Sequence, residues 1–371
     1  MIPFLNLHDG YLELKSEIDR AVIGVFESGL YVLGTEVEAF ETEWAAYCDT
    51  SHAVGVANGL DALTLALRAL GVGVGDEVIV PSNTFIATWL AVSAVGATPI
   101  PVEPDMTTFN IDPARIKDAI TARSKAIIAV HLYGQAADLD SIASVAKEYG
   151  LSLIEDAAQA HGARYKGRRI GGHGDIVCWS FYPGKNLGAF GDAGGLTTNR
   201  EELADKIRVM RNYGSRQKYV YEAIGSNSRL DPIQAAILRI KLKYLDLWTD
   251  RRRKVVAAYS TALADVGLML PQVALGNEHV WHLHVVRSTR RDEIMRKLAQ
   301  AGIGAQIHYP IAPHMQEAYK SLGYAAQAFP LASQLAHEVF SLPIGPHIDA
   351  TETADSVRCV MLDMEATRRD R

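Results

Sequence analysis

The stretch "HAVGVANGLDALTLALRAL" (His52–Leu70) decides the fold. It opens with a short apolar run of the kind found in strands buried on both faces. Asn58-Gly59 turns the chain, and "GLDALTLALRAL" then carries apolar residues at helical spacing. The same punctuation recurs downstream. "DEVIVP", "TPIPVE", "KAIIAVHL", "LSLIEDA", "DIVCWSF" and "GGLTTN" read as further short strands. Helix signals lie between them. Asp112 is an N-cap with Pro113 at the first helical position, and "DLDSIASVAKEYG" stops at Gly150, a C-cap. Strand–helix alternation over residues 50–200 predicts an α/β fold with a mostly parallel sheet flanked by helices. "RLDPIQAAILRIKLKYLDLW" repeats the cap at Asp231-Pro232, and one long helix is expected to run on into "TDRRRKVVAAYSTAL". Past residue 250 the texture becomes helices with alternating strands such as "HVWHLHVV". We therefore expect a large domain over 14–250 and a smaller α+β domain over 251–371, with residues 1–13 packing on the latter.

Composition narrows the function classes. Of 371 residues, 48% are hydrophobic and 22% charged, an ordinary globular balance, and the net charge of -6 disfavours a nucleic-acid binder. Cys48, Cys178 and Cys359 have neither metal spacing nor an even count, which fits a reducing compartment. The opening "MIPFLNLHDGYLELK" has no basic region followed by an apolar run, and no apolar run approaches the ~20 residues that cross a bilayer. A cytoplasmic protein without membrane partners is expected.

In open α/β sheets, ligands sit at the carboxyl ends of the strands. Three strand ends carry chemistry. "GVANGLDAL" (Gly55–Leu63) aims the free amides of a helix's first turn at whatever lies beyond the strand, an anion site. A tight turn without a ligand has the same residues. "LIEDAAQAHGA" (Leu153–Ala163) ends a buried strand on Glu155 and Asp156, only one of which can face the site, with Gln159 and His161 close behind. An Asp that merely caps the next turn is the ordinary alternative. "FYPGKNLGAFGDAGG" (Phe181–Gly195) sets Lys185 in a glycine-rich apolar loop, where a mobile surface lysine is the competing reading. It is no nucleotide P-loop, because Trp179 and Asn186 stand where that motif needs Gly and Ser/Thr. "GVGVGDEVIVP" (Gly71–Pro81) is no dinucleotide fingerprint, since Asp76 replaces the third Gly and the run precedes a strand. A phosphate cup, a carboxylate and a desolvated lysine together suit pyridoxal phosphate. The lysine forms a Schiff base with its aldehyde, and the carboxylate pairs with its ring nitrogen. Desolvation lowers the lysine's pKa from its usual value of about 10.4.

With these residues in hand, the chain resembles the pyridoxal-phosphate-dependent sugar aminotransferases of the DegT/DnrJ/StrS type. The likeness runs over nearly the whole length: "SGLYVLGTEVEAFE", "ANGLDAL", "GDEVIVPSNTFIAT", "VHLYGQAADLD", "IEDAAQAHGARYKG", "SFYPGKNLGAFGDAGG", "RNYGS", "GSNSRLDPIQAAIL" and "IHYPIAPH". The resemblance implies the type I, aspartate-aminotransferase-like fold. It implies that Lys185 binds the cofactor aldehyde, Asp156 the pyridine nitrogen and Gln159 the 3-hydroxyl. Gly59, Leu60 and Ser180 would hold the phosphate, and Phe85 would stack on the ring. Asn227 would reach the phosphate from a neighbouring subunit, making a homodimer necessary. Where this family often has Thr, the chain has Leu60, so only a backbone amide serves there. L-Glutamate would give its amino group to form pyridoxamine phosphate and 2-oxoglutarate. The acceptor would be a nucleotide-linked keto sugar. "SFYPGKNLGAFGD" lacks the threonines after the lysine that mark 4-keto members, which points to a 3-keto-6-deoxyhexose on dTDP, with a 4-keto sugar as the alternative. Arg216, Lys218 and Tyr219 in "GSRQKYVYEAIG", and His308 and Tyr309 in "HYP", are candidate sugar and diphosphate contacts.

Lys185 argues against a dehydratase relative, in which histidine takes its place. The full set of Lys185, Asp156 and Ser180 argues against a non-catalytic regulator, and the missing dinucleotide fingerprint against an oxidoreductase. "HVWHLH" sets His282 and His284 on one strand face near His279, yet no third ligand is close in sequence, and no metal is expected. "DRRRK" (Asp250–Lys254) reads as a solvated helix face and "ATRRDR" (Ala366–Arg371) as a charged, frayed tail.

Overall fold

In the computed structural model, the apolar strands divide their side chains between two cores. The structure describes residues 1–369, with side chains through 366, so Asp370 and Arg371 of "ATRRDR" lie outside the described residues. The strands are β1 (His52–Val56), β2 (Glu77–Pro81), β3 (Thr98–Val102), β4 (Ser124–Val130), β5 (Ser152–Asp156), β6 (Ile176–Ser180) and β7 (Gly194–Thr198). Side chains alternate along a strand. Ile79, Ile127, Ala129, Leu153, Val177 and Trp179 therefore enter one core, with Phe40 and Trp44 of the helix Thr35–Tyr47. Val78, Val80, Ala126, Ile128, Ile154, Ile176 and Cys178 enter the other, with Leu63 and Leu67 of the helix Gly59–Ala69.

The seven strands lie in the order β1-β7-β6-β5-β4-β2-β3. The pairs β6–β5, β5–β4, β4–β2 and β2–β3 are parallel, whereas β7 runs antiparallel to both its neighbours. β1 therefore points the same way as β5 and β6. The ends of these three strands, followed by Asn58, Asp156 and Ser180, meet at one edge. Gly194 of β7 pairs with both Val56 and Ser180 there. A Cβ on Gly194 would lie 2.3 Å from the Asn58 carbonyl, so only glycine lets the β1 turn close over it.

A two-stranded antiparallel sheet, His284–Arg287 with Val339–Leu342, carries a third core built from Tyr259, Val286, Leu298, Phe340, Val357 and Met361. Ile2 bridges to Ile303 beside it.

The expected long helix is two, Pro232–Leu242 and Leu245–Ala262. The first packs on the helices His8–Ser28 and Thr35–Tyr47, the second on Ala350–Arg369, and the break at Lys243-Tyr244 re-aims the chain between them. Asp231 makes no side-chain cap bond, and Pro232 alone marks that start. Asp112 does cap, accepting from Ala114 N at 3.0 Å, but only Pro113–Ile116 is α-helical. The strand in "HVWHLHVV" is confined to His284–Arg287, because Trp281 takes φ 53 and stops it. His282 therefore shares no strand face with His284. "DRRRK" is not a purely solvated face either. Arg252 is buried and donates to the Trp281 carbonyl at 3.2 Å.

Candidate active site

The turn after β1 places Asn58 as N-cap, its side chain accepting from Asp61 N at 2.8 Å. The Asn58 carbonyl takes the Ala62 amide. The amides of Gly59 and Leu60, first in the helix, have no acceptor within it. They open toward Ser180, and a Cβ on Gly59 would lie 2.7 Å from Ser180 Cβ. Bare amides, a helix N-terminus and a hydroxyl make a cup for a phosphate dianion.

Asp156 and Glu155 face opposite ways. Glu155 is fully buried away from the site. There it meets His131 Nε2 at 2.9 Å and accepts from the amides of His173 and Gly174. Burial pushes its pKa up, and the His131 hydrogen bond and charge, with the charge of His173 and the Gly174 amide, more than reverse this, so Glu155 sits below the usual range. Asp156 is also buried and accepts from Thr88 Oγ1 at 3.0 Å and Ala158 N at 3.2 Å. The bond from Ala158 N fits the reading of Asp156 as a cap on the next turn. Burial dominates at Asp156 and raises its pKa despite these donors and the charge of Lys185. Such a carboxylate gains from a cationic partner.

Lys185 follows β6, its amide tied to the Tyr182 carbonyl at 2.8 Å. It keeps a partial opening to the surface. Desolvation pulls its pKa down to about 8, with Asp156 opposing. The surrounding imidazoles are neutral. Burial and the nearby lysine hold His161 at about 3, His308 at about 4, and His282 well below its usual value.

Gln159 is buried, taking the Tyr133 amide on Oε1 at 2.6 Å and donating from Nε2 to Tyr309 Oη at 2.9 Å. Tyr309 lies 5.2 Å, ring to ring, from half-exposed Phe85. The His308 ring stacks on Phe4 at 5.7 Å, and its Nδ1 meets Ser341 Oγ at 2.8 Å. Gly59, Leu60, Phe85, Asp156, Gln159, Ser180, Lys185, His308 and Tyr309 thus gather at one sheet edge.

The other candidates, Arg216, Lys218, Tyr219 and Asn227, are exposed, and Ser228, next to Asn227, takes the Ala57 amide on its Oγ at 3.3 Å just before the turn. Arg216 pairs with Glu222 at 3.3 Å, and Lys218 lies over the exposed Tyr219 ring. Asn227 bridges to Asn212. Sequence reasoning missed Thr88, Tyr133 and Phe4. Their motifs, "SNTFIAT", "VHLYGQ" and "IPFLNL", contain the residues without showing where they reach.

The residues fit pyridoxal phosphate on the chemistry of the donor set. The turn amides and Ser180 could hold a dianion, the buried carboxylate could take a cationic N–H, and burial lowers the lysine's pKa to about 8. The fold belongs to the α/β class, with the candidate site at the strand ends. The model of the DegT/DnrJ/EryC1/StrS aminotransferase family matches residues 12–361, and the chain belongs to that family. It is 52% identical over 361 residues to a dTDP-3-amino-3,4,6-trideoxy-alpha-D-glucose transaminase of Streptomyces venezuelae, covering 96% of this chain and 95% of the relative. It is 54% identical over 357 residues to the erythromycin biosynthesis sensory transduction protein EryC1 of Saccharopolyspora erythraea, covering 96% and 97%. A crystal structure of S. venezuelae DesV in complex with a ketimine intermediate superposes with a TM-score of 0.95 at 52% identity, covering 97% of this chain and 98% of that one. Among the described residues, no helix is long and apolar enough to cross a membrane, and no three His, Cys, Asp or Glu side chains cluster as metal ligands.

Proposed function

We propose that this protein is a pyridoxal-phosphate-dependent aminotransferase that moves the amino group of L-glutamate onto C3 of a dTDP-linked 3-keto-6-deoxyhexose. The product is a 3-amino-3,6-dideoxy sugar nucleotide. One observation carries the reading. Lys185, held at about 8, stands beside buried Asp156 at the same edge as a Gly59–Ser180 cup with no room for a side chain. The substrate class rests on the S. venezuelae transaminase, whose name gives a dTDP-3-amino sugar.

When bound, pyridoxal phosphate supplies an aldehyde that takes up the donor amine and a pyridine ring that delocalises the electron pair left on the donor Cα. The chain does the rest. The Gly59 and Leu60 amides and the Ser180 hydroxyl would hold the phosphate. Asp156 would accept from the ring N–H and favour its protonated form. Gln159 Nε2 would donate to the ring hydroxyl, and Phe85 would pack on the ring. Lys185 Nζ would take the proton from the donor Cα and hold it on the amine, a role suited to an amine whose pKa burial lowers to about 8. His308 and Tyr309 line the sugar side.

The functional unit is a cytoplasmic homodimer, in which Asn227, Arg216, Lys218 and Tyr219 of one subunit serve the other's phosphate and diphosphate groups. Their exposure, which leaves them open to a second subunit, supports this reading. The chain divides near residue 250 into a large cofactor domain and a small one that includes residues 1–13.

Borohydride should fix the cofactor to the Lys185 peptide as a mass increase. A Lys185 wild type that never takes up pyridoxal phosphate overturns the proposal. Incubation with glutamate and a panel of dTDP-3-keto and dTDP-4-keto sugars, read by NMR, tests the regiochemistry, and amination at C4 alone refutes C3. A purely sensory role, as in the name of the S. erythraea relative, has no use for a lysine poised near neutrality. Conversion of glutamate to 2-oxoglutarate separates the two.

A further inference from the structure

Tyr133 has a backbone that is costly for an aromatic residue, with φ 60 and ψ 0. Its neighbours hold it there. Leu132 N donates to Asn110 Oδ1 at 2.9 Å, and the Tyr133 carbonyl accepts from Leu283 N at 3.2 Å. A Cβ on Gly134, at φ +109, would lie 2.9 Å from His282 N, so the strand of backbone behind the loop sits directly against it. The left-handed turn aims the Tyr133 amide at Gln159 Oε1, 2.6 Å away, while the Tyr133 hydroxyl donates to the His308 carbonyl. One residue thus grips both the cofactor-facing amide and the turn that carries Tyr309.

A side-chain amide has an accepting end and a donating end. Because Tyr133 occupies Oε1, Gln159 can present only Nε2 to the cleft, and Tyr309 Oη receives it at 2.9 Å. Having accepted there, the Tyr309 hydroxyl has its own proton to give onward. We infer that Tyr133 is a positioning residue whose hydroxyl holds the His308–Tyr309 turn against the Gln159 amide that its own N–H orients, so that Gln159 and Tyr309 both face the cleft as donors and select an oxygen acceptor. The inference deepens the proposed function and rests on it, the acceptor being the ring hydroxyl of pyridoxal phosphate.

Tyr133→Phe removes the hydroxyl and keeps both the backbone amide and the ring against Phe109, 5.5 Å away. In the cofactor-free protein, hydrogen exchange in the peptide covering residues 306–311 should run about fivefold faster than in wild type. In the loaded protein, the pH midpoint of the visible absorption band should shift by about half a unit, and the shift should vanish in a Tyr309→Phe background. Wild-type exchange in Tyr133→Phe, or a shift that adds fully to that of Tyr309→Phe, overturns the inference. Should the wild type bind no pyridoxal phosphate, the functional reading falls, and the exchange result still decides whether Tyr133 holds the turn.

Discussion

Gly59→Ala tests the cup most directly. An added Cβ would lie 2.7 Å from Ser180 Cβ, 3.2 Å from Ser180 Cα and 3.3 Å from Ser180 Oγ. Ordinary contact starts near 3.4 Å, so about 0.7 Å must be found. Ser180 yields little, because its backbone is paired with Gly194 of β7, which has no room to shift toward Asn58. The helix start must move, and with it the Gly59 and Leu60 amides. Overpacking of this kind costs about 1–3 kcal/mol of stability. Losing the alignment of one amide to a phosphate removes roughly 1.5–3 kcal/mol of binding. That corresponds to a Kd for pyridoxal phosphate raised roughly 10- to 150-fold. The assay is cofactor titration by absorbance, beside urea unfolding of the cofactor-free protein. Gly24→Ala is the control. Gly24 lies within the helix His8–Ser28 with nothing within 4 Å of its added Cβ, so alanine there should stabilise by about 0.5–1 kcal/mol. Wild-type cofactor affinity in Gly59→Ala would refute the assignment of the phosphate to this turn.

Three further outcomes are expected. Lys185→Ala should lower single-turnover amino transfer from glutamate by about 10²- to 10⁴-fold while leaving the unfolding midpoint nearly unchanged; near-normal turnover would move the proton transfer elsewhere. Asp156→Asn removes the charge that opposes desolvation at Lys185, so the lysine's pKa should fall below about 8, read by competitive labelling of the amine against pH; a rise contradicts the placement. Burial holds His284 at about 3 against an unfolded value near 6.5, and both its ring nitrogens lack partners. Between those pH values the unfolded chain binds a proton that the fold refuses. Stability is therefore complete above about 6.5 and falls on acidification, by about 1.4 kcal/mol per pH unit for this group. His284→Phe should flatten the urea-unfolding slope over that window by this amount, and an unchanged slope would count against it.

Much of the site was legible because its parts lie at strand ends marked by local sequence. Asn58-Gly59 is a turn and a cap in any context, and the run ending in Asp156 can only be a buried strand. The helix starts were less legible. Asp231-Pro232 looks the same as Asp112-Pro113, yet only Asp112 makes the cap bond. The break at Lys243-Tyr244 has no glycine or proline to announce it and comes from the two helices serving different neighbours. "DRRRK" misled for a similar reason. A charged run fixes the polarity of a helix on average, and Arg252 is drawn inside by the carbonyls of Trp281 and His282, contributed by a loop some thirty residues later.

The sequence by itself determined the alternating strands and helices, the turn at Asn58-Gly59 that opens a helix, and a lysine and a carboxylate at strand ends, since these depend on periodicity and on residues adjacent in the chain. Only the tertiary structure decided that Glu155 turns to His131 and the amides of His173 and Gly174, that Thr88 supports Asp156 from 68 residues away, and which end of the Gln159 amide is free. Hydrogen bonds are short and directional, and the partners they select are set by the register of distant strands.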